Sequence, residues 1–395
     1  RPGGIRGEGG AGPLEKRRLI VLREGCSDDA CCRLVALRGG RVVKRLGIVG
    51  ALVVEGYPDG ALSELLSLPD VAQVVDDLKI RALGESAGGR REREAPEGAR
   101  RWAWSSLEES ARGDTERGEA ATIPWGVRRV GAPAVWAATR GAGVRVAVVD
   151  TGIDPDHPDL EGRVAGGYGA TGEGWSDANG HGTHVAGTVA AAGRPGGVAG
   201  VAPEAELLAV RVLGPSGEGN LSDLLDGLGW CLEHRVHIVN MSLGAKEGHP
   251  LMEKAVARLI EAGIVVVAAA GNSGPGPETL EYPGACPGVI SVGAISPEGE
   301  VAPFSSRGRR LSVAAPGVGI LSTWPGGEYR SLSGTSMAAP HVAGVAALLL
   351  SRPGAASGVR SVEGAILQGA LPLEGWGREA QGSGVVCAPR AFQAW

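Results

Sequence analysis

The chain has little lysine and little asparagine: only five of its 39 basic residues are Lys, and four residues in all are Asn. Genome composition explains that bias better than chemistry does, and it gives weight to any Asn inside a motif. No apolar stretch approaches the length of a membrane span; the longest, near Val265 to Ala270 and Ala346 to Leu350, are core-sized. A soluble chain with no membrane partner is expected. Charge of one sign is not concentrated either: 44 acidic residues are mixed with the 39 basic ones, for a net charge of -5. Without a basic stripe, nucleic acid is not an expected partner. Cys26, Cys31, Cys32, Cys231, Cys286 and Cys387 are too few for a disulfide framework in 395 residues. Cys26 with Cys31 and Cys32 lacks the second pair or nearby His of a tetrahedral metal site, and reads as loop thiols or one local disulfide. The 67 glycines follow no G-X-Y period and no internal repeat appears, so they mark tight turns and close backbone approaches. Hydrophobic residues at 43% exclude bulk disorder, and the length predicts two or three domains.

Residues 1–13 read as a Gly/Pro-rich flexible tail. A compact unit follows over 14–83, with strand-like Leu19 to Leu22, Arg41 to Lys44, Ile48 to Val54 and Val71 to Val75, and a helix-like Leu62 to Leu68. That size and order predict a small α+β domain. Residues 84–121 carry Arg90-Arg91 and Arg100-Arg101 among Gly, Pro, Ser and Glu, without apolar periodicity, and read as an exposed, protease-accessible linker. From 122 to 395, short apolar runs alternate with Ala/Leu-rich helical stretches. Val144 to Val149, Leu207 to Val212, His237 to Met241, Ile264 to Ala269 and Val289 to Val292 have the length and branching of strands buried on both faces. They predict a mostly parallel sheet, with chemistry at the carboxyl ends of its strands.

Three segments carry candidate reactive side chains, one at such a strand end and two at helix starts. Val148-Val149-Asp150-Thr151-Gly152 ends the first run with a carboxylate, which alone also suits a turn cap or a phosphoryl-accepting Asp. Asn179-Gly180-His181-Gly182-Thr183-His184 sets a His between two glycines at the start of an Ala-rich helix, where glycines permit close substrate approach. Ser333-Gly334-Thr335-Ser336-Met337-Ala338-Ala339-Pro340-His341 places Ser336 at the start of an apolar helix, whose free N–H groups favour a negative oxygen. A hydroxyl needs a neighbouring base to become a nucleophile, and a carboxylate behind an imidazole fixes its tautomer. His184 and His341 read as packed or capping groups.

Joined in the order Asp, His, Ser, and with Ala268-Ala269-Ala270-Gly271-Asn272 between them, these segments resemble the subtilisin family of serine proteases from about Ile123 to the C-terminus. The resemblance implies a subtilisin-like three-layer α/β catalytic domain and a serine endopeptidase with no cofactor. In it Ser336 is the nucleophile, His181 the base and then acid, Asp150 the orienter, and Asn272 the side-chain donor of the oxyanion hole. Gly217-Glu218-Gly219 and Ser242-Leu243-Gly244 match the segments that flank a bound peptide, and Ala269 and Gly271 match a small apolar pocket wall. At the pocket floor, before Tyr282-Pro283, stands Glu281, which would favour Arg or Lys on the acyl side of the cleaved bond, or else turn to solvent. The family's main calcium site keeps its Asp as Asp159, but its loop reads Ala192-Gly193-Arg194-Pro195-Gly196-Gly197-Val198, and Arg310 and Ser312 stand at two acidic positions of the second site. Calcium takes six to eight oxygens, so neither site is expected to bind it.

Residues 14–83, closing with Val71-Ala72-Gln73-Val74-Val75-Asp76-Asp77, resemble the family's ferredoxin-like pro-domain, an intramolecular inhibitor that lays its C-terminal tail in the groove. The expected partners are therefore protein or peptide substrates and the chain's own pro-domain. The linker leaves two candidates for self-processing, Leu83 and the Arg pairs. A zymogen favours export, so a secreted protein is expected; residue 1 is Arg, so any signal peptide would lie outside this sequence. A catalytically silent peptide-binding protein with the same groove is the alternative. A phosphoryl-transfer enzyme centred on Asp150 would need a phosphate cradle and a magnesium carboxylate that the sequence does not offer.

Overall fold

The computed structural model describes residues 16–84, 120–352 and 359–395. The tail at 1–13 and nearly all of the expected linker, including both Arg pairs, lie outside them. The chain divides into two compact units after Leu78, a few residues upstream of the boundary expected at 83.

The first unit runs β1 (Arg18–Leu22), α1 (Asp29–Leu37), β2 (Arg41–Leu46), β3 (Ala51–Glu55), α2 (Leu62–Leu66) and β4 (Val71–Asp76). Its antiparallel sheet has the order β2-β3-β1-β4. Ile20, Leu52 and Val54 from the strands meet Cys31 and Val35 of α1 and Leu65 of α2 in one core. Helix α1 corrects the reading of Cys31 and Cys32 as loop thiols. Cys31, Leu34 and Val35 have the i, i+3, i+4 spacing of a buried helical face once Cys is counted as a small hydrophobe. Burial pushes the Cys31 thiol up to about 11, and all six cysteines are unpaired. The third strand starts at Ala51 rather than Ile48, because the Gly50 N–H closes a turn on the Leu46 carbonyl at 2.9 Å.

The second unit contains β5 (Lys79–Ala82), β6 (Arg145–Asp150), β7 (Val164–Gly169), β8 (Glu206–Arg211), β9 (Glu218–Asn220), β10 (Ile238–Met241), β11 (Leu243–Gly244), β12 (Val265–Ala269), β13 (Ile290–Ile295), β14 (Val313–Pro316), β15 (Ile320–Trp324) and β16 (Glu328–Leu332). Seven of these form a parallel sheet of order β14-β13-β12-β10-β6-β8-β7. Its five inner strands are the five apolar runs. The edges are less legible, β7 being glycine-rich and β14 only four residues long.

Helices α3 (His181–Ala190) and α6 (Thr335–Leu350) pack on each other and on the sheet, while α4 (Leu221–Glu233) and α5 (Pro250–Glu261) pair separately against it. The second unit is thus a three-layer α/β domain. Helix α6 is buried nearly from end to end, which explains why its sequence is apolar all round rather than striped. It lies so close to its neighbour that a Cβ on Gly344 would sit 2.5 Å from Cβ of Val201. Gly344→Ala should therefore destabilise the domain by about 1–3 kcal/mol despite alanine's better helix propensity. Thermal unfolding in a Ser336→Ala background, to prevent self-digestion, measures it.

Candidate active site

β6 and β10 are neighbours at the centre of the sheet, and the chain leaves them in opposite directions, toward β8 and β7 on one side and β12 to β14 on the other. The carboxyl ends of strands at such a reversal form a natural crevice. Asp150 closes β6 there, and Ser242 follows β10.

Helix α3 begins with His181, and the residues before it determine where the ring goes. Asp177, which the motif reading did not single out, accepts the N–H groups of Asn179, Gly180 and Thr183 at 2.9 Å each and ties down the first turn. Its signal is an Asp just ahead of a helix start, where a carboxylate satisfies free N–H groups. The Thr151 hydroxyl donates to Asp177 at 2.9 Å and accepts the Gly182 N–H at 2.9 Å, joining the helix start to the residue after Asp150. The glycines around His181 face protein rather than substrate. A side chain on Gly180, at φ 109, would run into the Trp324 ring, and one on Gly182 into the Gly152 carbonyl. Gly182 allows the helix to seat against the strand end, and Gly180 lets its first turn pack on the Trp324 ring.

The result is a buried hydrogen bond of 2.7 Å from His181 Nδ1 to Asp150 Oδ1, the same oxygen that accepts the Thr151 N–H at 2.8 Å. Burial disfavours the imidazolium, but the charge and hydrogen bond of Asp150, with the more distant Asp177, outweigh it and raise His181 above its ordinary 6.5. His181 Nε2 is buried and has no hydrogen-bond partner among the described residues. The other two histidines of these motifs behave as packed groups. His184 donates from Nε2 to the carbonyls of Ile320 and Arg330, and burial drives it down to about 3. His341 donates to the Met337 carbonyl at 2.8 Å, and burial lowers it to about 4.

Ser336 is the second residue of α6. Pro340, four residues on, has no N–H to give the Ser336 carbonyl. That carbonyl instead accepts the Ser242 hydroxyl at 2.8 Å, and the Ser336 hydroxyl donates to the Ser242 carbonyl at 2.8 Å. Asn272 sits alongside. Its Oδ1 accepts the N–H and the hydroxyl of Thr335, at 3.0 and 2.8 Å, which turns Nδ2 outward.

What Nδ2 meets is the carbonyl of Leu83, at 3.0 Å, and the same oxygen accepts the Ser336 N–H at 3.3 Å. The segment leading to it, β5, is the middle strand of an antiparallel sheet β11-β5-β9. Leu243 and Gly244 pair with Ala82 and Arg81; Gly219 and Glu218 pair with Ile80 and Arg81. The Ala82 N–H donates to the Gly217 carbonyl at 2.8 Å and the Leu83 N–H to the Ser242 carbonyl at 3.2 Å. A Cβ on Gly84 would lie 3.0 Å from His181 Nε2. The Leu83–Gly84 peptide bond is therefore held among Asn272, Ser336 and His181.

Ala269 is buried at the end of β12, and Gly271 packs against the Glu281 side chain. Glu281 is not turned to solvent: its side chain is 2% exposed. It accepts the Ser273 hydroxyl at 2.8 Å and two guanidinium bonds, at 3.0 and 3.2 Å, from Arg81 rather than from the residue at the bond.

Asp159 is buried and accepts three hydrogen bonds from its surroundings. It accepts the N–H groups of Arg194 and Val198, at 2.8 and 2.7 Å, and the Tyr329 hydroxyl at 2.8 Å. Gly197 packs so close to the carboxylate that a Cβ there would overlap it. This loop turns N–H groups toward the acid where a calcium ion would need oxygens, so the residues present do not fit the ion. At the other site, the Ser312 hydroxyl accepts the Ser291 N–H at 3.1 Å.

Comparison with known proteins agrees with this geometry. The profile described as the subtilase family matches residues 141–384. The chain is 48% identical over 236 residues to the intracellular serine protease of Paenibacillus polymyxa, covering 58% of this chain and 72% of that one. It is 48% identical over 231 residues to subtilisin Savinase of Lederbergia lenta, covering 58% and 85%. To subtilisin E of Bacillus subtilis (strain 168) it is 45% identical over 350 residues, covering 87% and 82%.

If Asp150 is what raises His181, the imidazole should titrate above 6.5 in the intact chain. Asp150→Asn should lower it markedly, since burial is then opposed only by the more distant charge of Asp177. Following the ring protons by NMR against pH checks both.

Proposed function

The chain belongs to the subtilase family and is a subtilisin-like serine endopeptidase, and on that premise we propose that it is a zymogen that cuts its own Leu83–Gly84 bond with Ser336, His181, Asp150 and Asn272. One observation carries this reading: the Leu83 carbonyl accepts from both Asn272 Nδ2 and the Ser336 N–H. Those are the two donors that would meet the charge developing on a carbonyl under attack.

The steps follow from the groups present. His181 Nε2, unpartnered, takes the proton when the Ser336 hydroxyl turns from the Ser242 carbonyl toward it, and Oγ bonds to the Leu83 carbonyl carbon. The oxygen takes up the displaced electron pair and tightens onto Asn272 and the Ser336 N–H. Asp150 stabilises the imidazolium and holds its tautomer. Collapse breaks the bond to the Gly84 nitrogen, which takes the proton from Nε2. Water then attacks the acyl-enzyme, with His181 again as base, and frees Leu83 as a carboxylate.

The first unit acts in this reading as the pro-domain. Its β-α-β-β-α-β order supports that role, and so does the match to subtilisin E, which covers too large a share of this chain to fit between Lys79 and Trp395. After cleavage, the paired strand β5 keeps the groove occupied and the enzyme inhibited. Protein and peptide substrates take the same path, their backbones pairing with Gly217-Glu218-Gly219 and Ser242-Leu243-Gly244. A self-inhibited precursor fits export, since it protects the producing cell; no helix among the described residues is long and apolar enough to cross a membrane.

Mass spectrometry of the purified chain after incubation should find a cut between Leu83 and Gly84, absent from Ser336→Ala. An uncut wild-type chain whose Ser336 also refuses a fluorophosphonate would show a silent binding protein instead. We further read the enzyme as calcium-independent, on the donors that surround Asp159. Excess chelator should leave its melting temperature within about a degree, whereas a bound structural ion would add RT ln(1 + [L]/Kd) to stability and be missed when removed.

A further inference from the structure

Glu281 was expected at the floor of the pocket, yet the cation it holds comes from Arg81 and not from the residue at the bond. Counting back from the Leu83–Gly84 bond, Leu83 is the first residue, Ala82 the second and Arg81 the third. In an extended strand, residues two apart point to the same face. Arg81 and Leu83 therefore face one side of the groove, and the arginine is long enough to reach past the leucine to the carboxylate below. Leu83 meanwhile packs on the wall, where a Cβ on Gly244 would lie 2.7 Å from Cδ1 of Leu83.

The carboxylate is built to be met. Its side chain is 2% exposed while that of Arg81 is 41% exposed, so the acid belongs to the enzyme's interior and the guanidinium arrives from the groove side. Two glycines hold it in place. A Cβ on Gly271 would lie 2.6 Å from Cγ of Glu281, and one on Gly244 would lie 3.0 Å from Oε2. Within the catalytic domain Ser273 gives one hydrogen bond to Oε1, and Arg81 gives one to each oxygen. A buried anion left with a single hydroxyl is costly, whereas a planar fork matches a carboxylate with two parallel bonds.

We infer that Glu281 is a specificity-determining residue that selects arginine at the third position upstream of the cleaved bond, together with leucine at the first. This deepens the endopeptidase reading and rests on Leu83–Gly84 being the bond held for cleavage. Between residues 79 and 121, Arg81-Ala82-Leu83 is the one place where Arg precedes Leu by two positions. The subsite thus separates Leu83 from the arginine pairs, which offer no such spacing.

The test uses matured wild-type enzyme and Glu281→Gln with internally quenched peptides. One carries Lys-Ile-Arg-Ala-Leu-Gly-Glu-Ser, a second has norleucine for Arg, a third has citrulline for Arg, and a fourth has norleucine for Arg and Arg for Leu. Charge-assisted hydrogen bonds of this kind are worth about 10- to 100-fold, so kcat/KM should fall by that factor from the first peptide to the second and third. The ratio should collapse toward one in Glu281→Gln; if that variant does not fold, the wild-type ratios decide. Equal rates on the first three peptides overturn the subsite and leave the endopeptidase standing, as does preference for the fourth. An undiminished ratio in Glu281→Gln assigns the arginine to another group and also overturns it. Self-cleavage elsewhere in the linker, with the ratio intact, removes Leu83 as the natural cut and keeps the subsite. Failure to cleave any peptide, or casein, overturns both.

Discussion

The 2.7 Å hydrogen bond between His181 and Asp150 is the contact on which the site depends, and its length is a packing constraint before it is chemistry. A strand end and a helix start must approach until backbone meets backbone, which a side chain at Gly182 would prevent by running into the Gly152 carbonyl. Asp177 and Thr151 then lock that approach with hydrogen bonds to the first turn of α3. Because the pair is buried, its electrostatics are strong, and the imidazole is raised although burial alone would lower it.

A second dependency joins α6 to the groove. Pro340 deprives the Ser336 carbonyl of its helical donor, and Ser242 supplies the replacement while its own carbonyl receives the Ser336 hydroxyl. The same Ser242 carbonyl accepts the Leu83 N–H. One residue thus holds the proposed nucleophile and the chain laid across it. Turning the hydroxyl toward His181 releases a hydrogen bond of 2.8 Å, which the approach of the imidazole replaces.

Peptide pairing in the groove is blind to side chains, since main-chain bonds to Gly217, Ser242 and their neighbours form with any sequence. Discrimination has to come from groups that cannot be left alone. Glu281 is such a group, being a carboxylate out of water whose one partner besides Arg81 among the described residues is the Ser273 hydroxyl on Oε1. Asp159 is equally buried, but its loop gives it N–H donors from Arg194 and Val198. The contrast explains why one carboxylate is read as a recognition group and the other as a structural one.

Much of this was legible in the residues. Five continuous apolar runs mark five inner strands, because a strand buried on both faces admits no polar alternation; motifs at the carboxyl ends of two of them mark Asp150 and Asn272, and motifs at two helix starts mark His181 and Ser336. Edge strands β7 and β14 were not legible, being glycine-rich or short, and α1 was hidden by cysteines that look like a cluster. Sequence by itself determined the family, the sheet and which side chains are the candidates for the chemistry, since these rest on local pattern and composition. Only the tertiary structure decided that Glu281 meets Arg81 and that the Leu83 carbonyl lies between Asn272 and Ser336. Those partners stand some 200 residues apart in the chain, and no local pattern encodes the distance between groups that meet only when the fold closes.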